Sequence, residues 1–253
     1  MIDIHCHILP GVDNGAENME ESIAIANAAV NQGIDTIIAT PQHMNGYHHN
    51  FKNQVIQQVE QLNQALKERQ IGLKVLPGQM IRIYREMLTS FEKDNLLELN
   101  QSTGYLLIDL PRNHIPTYTT QLLFDLQIKG YQPILVHPEK NPWIQDDPEL
   151  LYQFVKRGAL TQLATDSIIG KRDKTAHKFA LQMIEANQAH FIGSAATSHK
   201  NYNFQEAVQK INKLYGKKKT YFFVENAVYL MEGKAVIRNE EKRIKKKKIF
   251  GIL

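Results

Sequence analysis

The sequence predicts a single parallel α/β domain that is closed, or nearly closed, into a barrel. Seven short β-rich runs alternate with longer amphipathic runs along the 253 residues, which is typical of a parallel sheet covered by helices. No break in composition divides the chain, and polar side chains follow several of the predicted strands. A barrel explains seven strands better than two separate sheets do.

Each predicted strand is a short run rich in branched or aromatic residues that ends at polar or turn-forming residues. In chain order the seven are Ile2–His5, Thr36–Thr40, Leu73–Leu76, Tyr105–Asp109, Pro133–Val136, Leu160–Thr165 and His190–Gly193.

The predicted helices carry apolar residues at three- and four-residue spacing. They are Met19–Gln32, Phe51–Arg69, Tyr84–Lys93, Thr119–Lys129, Pro148–Lys156, Thr175–Ala186, Asn203–Leu214 and Glu225–Met231. The last two follow the final strand, so we predict one domain over residues 1–233 and a basic, aromatic-tipped tail over residues 234–253.

Composition favours a cytoplasmic protein. Hydrophobic residues make up 43% and charged residues 22% of the chain, as in ordinary globular proteins. No apolar run approaches the roughly 18–20 residues of a membrane span, and the N-terminus does not resemble a signal peptide. The single cysteine, Cys6, excludes an internal disulfide framework and fits a reducing compartment.

The net charge of +4 is unevenly distributed. The segment from Lys234 to Leu253 carries +6, which leaves −2 on the rest of the chain. The body therefore has no basic surplus, and we expect no nucleic-acid partner.

Polar chemistry is concentrated just after the predicted strands. Loops at the carboxyl ends of parallel strands meet at one edge, where the sites of barrels and open α/β sheets form. The side chains expected there are His5, His7, Gln42, His43, Asp109, His137 and Asp166.

The N-terminal strand ends in the motif His5-Cys6-His7. Alternate residues of a strand share one face, so both histidines can bind one ion while Cys6 points into the core. Imidazole suits zinc, iron or manganese. The other interpretation is a pair of polar strand-end residues without a metal.

Six longer motifs carry a resemblance to a known family. They are MIDIHCHILPGVDNGA, TIIATPQHMNG, LPGQMIRIY, YLLIDLP, GYQPILVHPEKN and VENAVYL. In order and spacing they resemble manganese-dependent tyrosine-protein phosphatases of the polymerase-and-histidinol-phosphatase (PHP) superfamily, found in bacterial capsule and exopolysaccharide operons. The resemblance implies a distorted seven-stranded βα barrel, a three-metal site at its carboxyl edge, and the phosphotyrosine tail of a bacterial tyrosine kinase as substrate.

Part of the implied site is retained. The resemblance places His5 and His7 on first-metal positions and His137 on a second-metal position. Asp109 stands where the family usually has glutamate, and Asp13 keeps the first acid of an Asp-Asp pair. Lys140 stands where the family has arginine, which makes it, with Arg82, a candidate phosphate contact. For both cations the alternative is a surface ion pair.

Five implied ligand positions hold other residues: Asn14, Gln42, Met80, Ala195 and Thr197. The resemblance implies a bridging glutamate at position 80, where this chain has Met80. A neutral thioether cannot replace a carboxylate as a ligand of hard Mn²⁺. We therefore expect fewer than three ions, with one at most among His5, His7, Asp109 and His137, and weak or absent hydrolysis.

Asp13 and three further residues could compensate for the missing ligands. Asp166 adds a carboxylate at the carboxyl edge, or caps a turn or helix. His199 and His43 lie beside substituted positions, or are surface loop histidines. The alternatives to a weak phosphatase are a pseudophosphatase that binds a phosphotyrosine tail, an active hydrolase with a rearranged mono- or dinuclear site, and a phosphoesterase acting on small molecules.

The basic run Lys245–Lys248 is followed by IFGIL. Such ends are normally solvated. The alternatives are contact with anionic lipid at the inner face of the membrane, contact with an acidic kinase tail, or packing on another subunit of a homo-oligomer.

Overall fold

The computed structural model describes residues 1–93, 95–171 and 173–244, and it confirms a mixed α/β fold built on parallel strands. The described strands are β1 (Ile2–Cys6), β2 (Thr36–Ala39), β3 (Gln42–His43), β4 (Lys74–Pro77), β5 (Met80–Arg82), β6 (Tyr105–Asp109), β7 (Gln132–Val136), β8 (Leu160–Ala164) and β9 (Phe191–Gly193). They form a three-stranded sheet, β1-β2-β4, and a six-stranded sheet, β3-β5-β6-β7-β8-β9, with every pairing parallel.

The predicted count of seven strands is not confirmed, because the chain runs from the three-stranded sheet directly into the six-stranded sheet at two places. After β2 it continues through Thr40 and Pro41 into β3, and proline has no N–H to donate to a ladder. After β4 it continues through Gly78, where a Cβ would lie 2.8 Å from Ile38 Cγ2, so only glycine fits this close approach. These breaks produce β3 and β5, which the sequence analysis did not predict.

The first strand lies against the exit of the last. The backbone N–H of Ala195 donates to His5 O at 2.8 Å, and the N–H of His7 donates to Ala196 O at 3.0 Å. A parallel bridge joins Cys6 to Ala196. The parallel strands therefore curl until β1 meets the chain leaving β9, which brings the carboxyl ends of distant strands together.

The described helices cover the outside of the strands. They are α1 (Met19–Val30), α2 (Lys52–Glu68), α3 (Met87–Glu92), α4 (Thr119–Ile128), α5 (Pro142–Asp146), α6 (Pro148–Lys156), α7 (Thr165–Ile169), α8 (Lys174–Glu185) and α9 (Phe204–Met231). In α2 the buried residues Val55, Val59, Leu62 and Leu66 form one apolar stripe, as the helical periodicity predicts. The short helices α5 and α7 were not predicted, since five residues carry too little periodicity.

Two predicted helices are joined in α9. Its backbone is non-helical at Gly216, with φ 80° and ψ 172°, a conformation that glycine adopts without steric cost. The break separates the two regions that the sequence marks as helical.

The segment after α9 packs against the body as far as residue 244. Arg238 donates to Val155 O at 2.8 Å, and Arg243 pairs with Glu149 at 2.9 Å and lies over the Tyr152 ring. The run Lys245–Lys248 and the apolar end after it lie outside the described residues. No helix in the described ranges is both long enough and apolar enough to span a bilayer.

Candidate active site

The side chains of His5 and His7 face each other at the carboxyl end of β1. Their Nε2 atoms are 3.3 Å apart, and both residues are buried. Cys6 points the other way, into the apolar core, with its Sγ 3.6 Å from Ala196 O. This is the arrangement that strand alternation predicts.

Each histidine has its other ring nitrogen committed to an acceptor. Gln162 Oε1 lies 3.0 Å from His5 Nδ1, while Gln162 Nε2 donates to Leu163 O, which fixes the orientation of the amide. Asp13 Oδ2 lies 2.6 Å from His7 Nδ1. Both Nδ1 atoms therefore carry the proton, and both Nε2 lone pairs point into the space between the rings.

Electrostatics keeps the first histidine neutral. Burial, together with the charges of His7 and Lys140, lowers the pKa of His5 to about 3. Burial raises the pKa of Asp13, but its bonds to His7 and to the backbone N–H groups of Gln42 and Gly15 outweigh burial, and the net pKa is lowered. A neutral imidazole oriented by a carboxylate is the form that binds metal ions.

His137 completes the histidine cluster. It follows β7 directly, with a left-handed φ of 45°, and its ring stacks on His5 with centroids 4.8 Å apart. Its Nδ1 makes no hydrogen bond within the described residues. Burial, followed by the charges of Lys140 and His5, lowers its pKa well below the usual range.

Both carboxylates predicted at this edge are paired with cations. Arg82 contacts Asp109 Oδ2 through NH2 at 2.6 Å and through Nε at 2.8 Å, so Oδ1 stays outside the pair. Burial raises the pKa of Asp109 despite this partner. Lys140 Nζ lies 2.8 Å and 3.0 Å from the two carboxylate oxygens of Asp166.

The five positions expected to have lost a ligand make contacts of other kinds. Gln42 Nε2 donates to Asn14 Oδ1 at 2.9 Å, and the side-chain amide of Asn45 donates to Gln42 Oε1. Met80 is buried in an apolar cluster with Leu107 and Val136.

The other two positions lie beyond β9. Ala195 has a left-handed φ of 47°, and the hydroxyl of Thr197 accepts from Asn201 at 3.0 Å. A non-glycine residue in this region costs on the order of 1 kcal/mol, and such residues often occur at functional sites.

Of the four residues considered as compensating ligands, Asp13 contacts His7, and the other three lie apart from the histidine cluster. Asp166 is in the first turn of α7, not at a strand end, and its partner is Lys140. His199 is exposed at the start of a 3₁₀ turn. The interpretation of His43 as a surface histidine is wrong, because it is buried against Phe51 and burial lowers its pKa to about 4.

Three residues that the sequence analysis did not single out also shape the site. Gln162 on β8 orients His5, buried Glu139 lies 4.0 Å from His137 Nδ1, and Arg112 lines a cavity of about 50 Å³. Burial raises the pKa of Glu139 to about 7. Arg112 lies three residues after β6, so it could have been predicted in the same way as the other polar side chains that follow strands.

The arrangement offers a divalent ion two prepared nitrogen donors. Two imidazoles on one ion hold their nitrogens about 3.0–3.4 Å apart at usual bond lengths, close to the 3.3 Å between the Nε2 atoms. Within the described ranges no group of three or more His, Cys, Asp or Glu side chains is arranged to hold a metal. The histidine pair therefore fits one divalent ion through two nitrogen donors.

Comparison with known proteins gives close matches. The family model for capsular polysaccharide synthesis proteins, CpsB/CapC, matches residues 1–232. The chain is 45% identical to the tyrosine-protein phosphatase YwqE of Bacillus subtilis (strain 168), over 99% of each chain. It is 36% identical to the putative tyrosine-protein phosphatase CapC of Staphylococcus aureus, over the whole of both.

A solved structure agrees with these matches. It comes from work on YwqE of Bacillus subtilis and CpsB of Streptococcus pneumoniae, described as unique metal-dependent tyrosine phosphatases. The TM-score is 0.94 at 44% identity, covering 97% of this chain and 100% of that one.

Proposed function

The chain belongs to the CpsB/CapC family of capsular polysaccharide synthesis proteins, and from this premise we propose that it is a tyrosine-phosphatase-like protein that hydrolyses phosphotyrosine weakly or not at all. It acts in the cytoplasm, where it takes part in the control of capsule or exopolysaccharide synthesis. Its ligand is the phosphotyrosine tail of a bacterial tyrosine kinase.

The proposal rests on the contacts that the side chains make at the substituted ligand positions. Asn14 and Gln42 hydrogen-bond each other at 2.9 Å, and Met80 is 8% exposed among apolar side chains. Amide oxygens and a thioether bring no negative charge, so the charges of a second and a third divalent ion would be poorly offset.

One ion of the Mn²⁺ class fits the two prepared nitrogens of His5 and His7. When bound, such an ion acidifies a water and offsets charge on the phosphoryl oxygens. The protein's own part is to orient the two imidazoles through Gln162 and Asp13. Phosphomonoester hydrolysis by paired ions needs a second metal to stabilise the leaving oxygen, and these residues provide no further ligands for a second ion.

Metal analysis combined with turnover tests the proposal. The purified full chain is loaded with Mn²⁺ and assayed on p-nitrophenyl phosphate and on a phosphotyrosine peptide, with the Bacillus subtilis relative as the positive control. We expect at most one tightly bound ion and turnover at least about a thousandfold below the control, as for loss of metal-based charge stabilisation. Two or more tight ions with turnover like that of the control would overturn the proposal.

The second candidate is a pseudophosphatase that binds the kinase tail without turnover. It is favoured by the cations Arg82, Arg112 and Lys140 at the carboxyl edge, because these attract a phosphoryl group whether or not it is hydrolysed. Peptide binding without product release would select it. An active rearranged site is less well supported, since Asp166 is paired with Lys140 and His199 is exposed.

A further inference from the structure

We propose that Arg112, together with Lys140, forms a seat that holds a phosphomonoester dianion without a metal ion. The inference rests on the proposed function, because it specifies how the phosphotyrosine ligand of that site is held. Its first basis is a cavity of about 50 Å³ at the carboxyl edge, whose lining includes Arg112, His137, Lys140 and Asn141.

The charges around this cavity do not cancel. Arg82 is paired with Asp109, and Lys140 is paired with Asp166. Arg112 is exposed, and it makes no hydrogen bond or ion pair to any other residue in the described ranges. Arg82 and Lys140 thus each have a carboxylate partner, whereas Arg112, beside the cavity, has none in the described ranges.

The charge of Arg112 reaches the interior of the site. It partly offsets the burial that raises the pKa of Asp109, and it adds to the burial that lowers the pKa of His137. A dianion bound beside Arg112 would balance a positive potential that the protein leaves uncompensated. Phosphate monoesters carry about −1.5 to −2 charges at neutral pH, whereas a carboxylate carries only one.

Hydrogen-bond geometry favours the same ligand. A guanidinium can donate to two phosphoryl oxygens at once. Lys140 has three N–H groups, so it can donate to both oxygens of Asp166 and to one phosphoryl oxygen as well. His137 also lines the cavity, with its Nδ1 buried on the side of Glu139, 4.0 Å away. The donors of Arg112 and Lys140 come from the exits of β6 and β7, which are adjacent strands.

The size of the cavity limits what enters it. A volume near 50 Å³ matches a small anionic group better than a whole phosphotyrosine side chain. The ring would stay outside, so the seat selects for the phosphoryl group and leaves the peptide to the surrounding surface. We therefore expect free phosphotyrosine and a phosphotyrosine peptide to compete for the same seat.

The test is titration calorimetry of the full chain with a phosphotyrosine peptide in EDTA. We expect the metal-free wild type to bind, Arg112→Ala to lose at least about tenfold in affinity, and Arg112→Lys to lose less, since lysine keeps the charge but not the fork. Arg85→Ala is the matched control, because Arg85 is also exposed but lies over the Tyr118 ring, 5.0 Å from its centroid. Circular dichroism melts would verify that each variant folds.

Two results would overturn the inference. One is an Arg112→Ala variant that binds as tightly as the wild type, and the other is a wild type that binds the peptide in Mn²⁺ but not in EDTA. Neither result bears on turnover, which the metal-loaded assay measures separately, so failure of the seat and failure of the proposed function are distinguishable.

Discussion

Arg82 and Asp109 stand opposite each other in the register of β5 and β6, and two nitrogens of the guanidinium contact one oxygen of the carboxylate. The sequence alone indicates that Arg82 contacts a phosphate and that Asp109 binds a metal ion. Because the two side chains are paired, Arg82 must release Asp109 to bind a phosphate, and Asp109 binds an ion in competition with Arg82. The negative charge of Asp109 is offset before any ion arrives.

Replacing Arg82 should therefore strengthen metal binding. We expect Arg82→Gln to raise the Mn²⁺ affinity of the full chain by about tenfold, because one positive charge beside the site is removed and a carboxylate oxygen is released. Calorimetric titration with Mn²⁺ measures the effect, with Arg85→Gln as the control. Unchanged or weaker binding by Arg82→Gln would mean that Asp109 does not reach the ion.

Gln162 sets the tautomer of His5, and its removal should weaken metal binding. In Gln162→Leu the His5 Nδ1 loses its acceptor, so the proton can move to Nε2 and point at His7 Nε2, 3.3 Å away. Loss of such an orienting partner typically lowers metal affinity about 10–100-fold.

The matched control is Gln132→Leu, which changes a strand glutamine whose amide donates to Gly158 O at the opposite edge of the sheet. Metal titration measures the affinity, and nitrogen chemical shifts of labelled histidine report the tautomer. If His5 keeps its proton on Nδ1 in Gln162→Leu, the amide does not set the tautomer.

Restoring a carboxylate at position 80 alone should not restore catalysis. Met80 is 8% exposed within an apolar cluster, so Met80→Glu buries a charge and is expected to lower the free energy of unfolding by several kcal/mol. Asn14, Gln42, Ala195 and Thr197 would still offer no ligands of the implied kind.

Turnover of p-nitrophenyl phosphate in Mn²⁺ and urea unfolding measure the two effects, with Met80→Leu as the volume-matched control. Strong rescue of turnover by Met80→Glu would show that a single bridging carboxylate is the limiting loss.

Some of this site could be predicted from sequence, for physical reasons that concern local geometry. Strand alternation places His5 and His7 on one face and Cys6 on the other, whatever the rest of the chain does. The breaks at Pro41 and Gly78 could not be read in the same way, because strands of two and three residues carry almost no periodic pattern.

Side-chain partners were the least predictable part. Lys140 and Asp166 are 26 residues apart, and their pairing depends on the exit of β7 meeting the first turn of α7, a helix too short to predict. Gln162 is 157 residues from His5 and resembles any polar strand residue until the barrel curls. The sequence pattern thus located the edge where the three histidines gather, and packing decided which charges there remain unpaired.

A buried histidine far from the site should make stability depend on pH. His190 is 1% exposed, and its Nδ1 accepts from the N–H of Thr161 at 3.2 Å. Burial, followed by the charges of Arg238 and Lys219, lowers its pKa from 6.5 to about 3.

Between these two pH values the unfolded chain binds a proton at His190 and the folded chain does not, so stability falls as pH falls below about 6.5. From pH 7 to pH 5 the contribution of this one residue is on the order of 1–2 kcal/mol. In His190→Asn the amide oxygen can replace Nδ1 as acceptor without titrating. We therefore expect urea midpoints of this variant to drop less between pH 7 and pH 5 than those of the wild type.

Exposed His114 provides the control, because His114→Asn changes the same residue type without removing a buried imidazole. Equal pH dependence in the wild type and in His190→Asn would mean that His190 is protonated in the folded protein. A bond from Thr161 to the Nδ1 lone pair does not allow that, since the imidazolium form has a proton on both nitrogens.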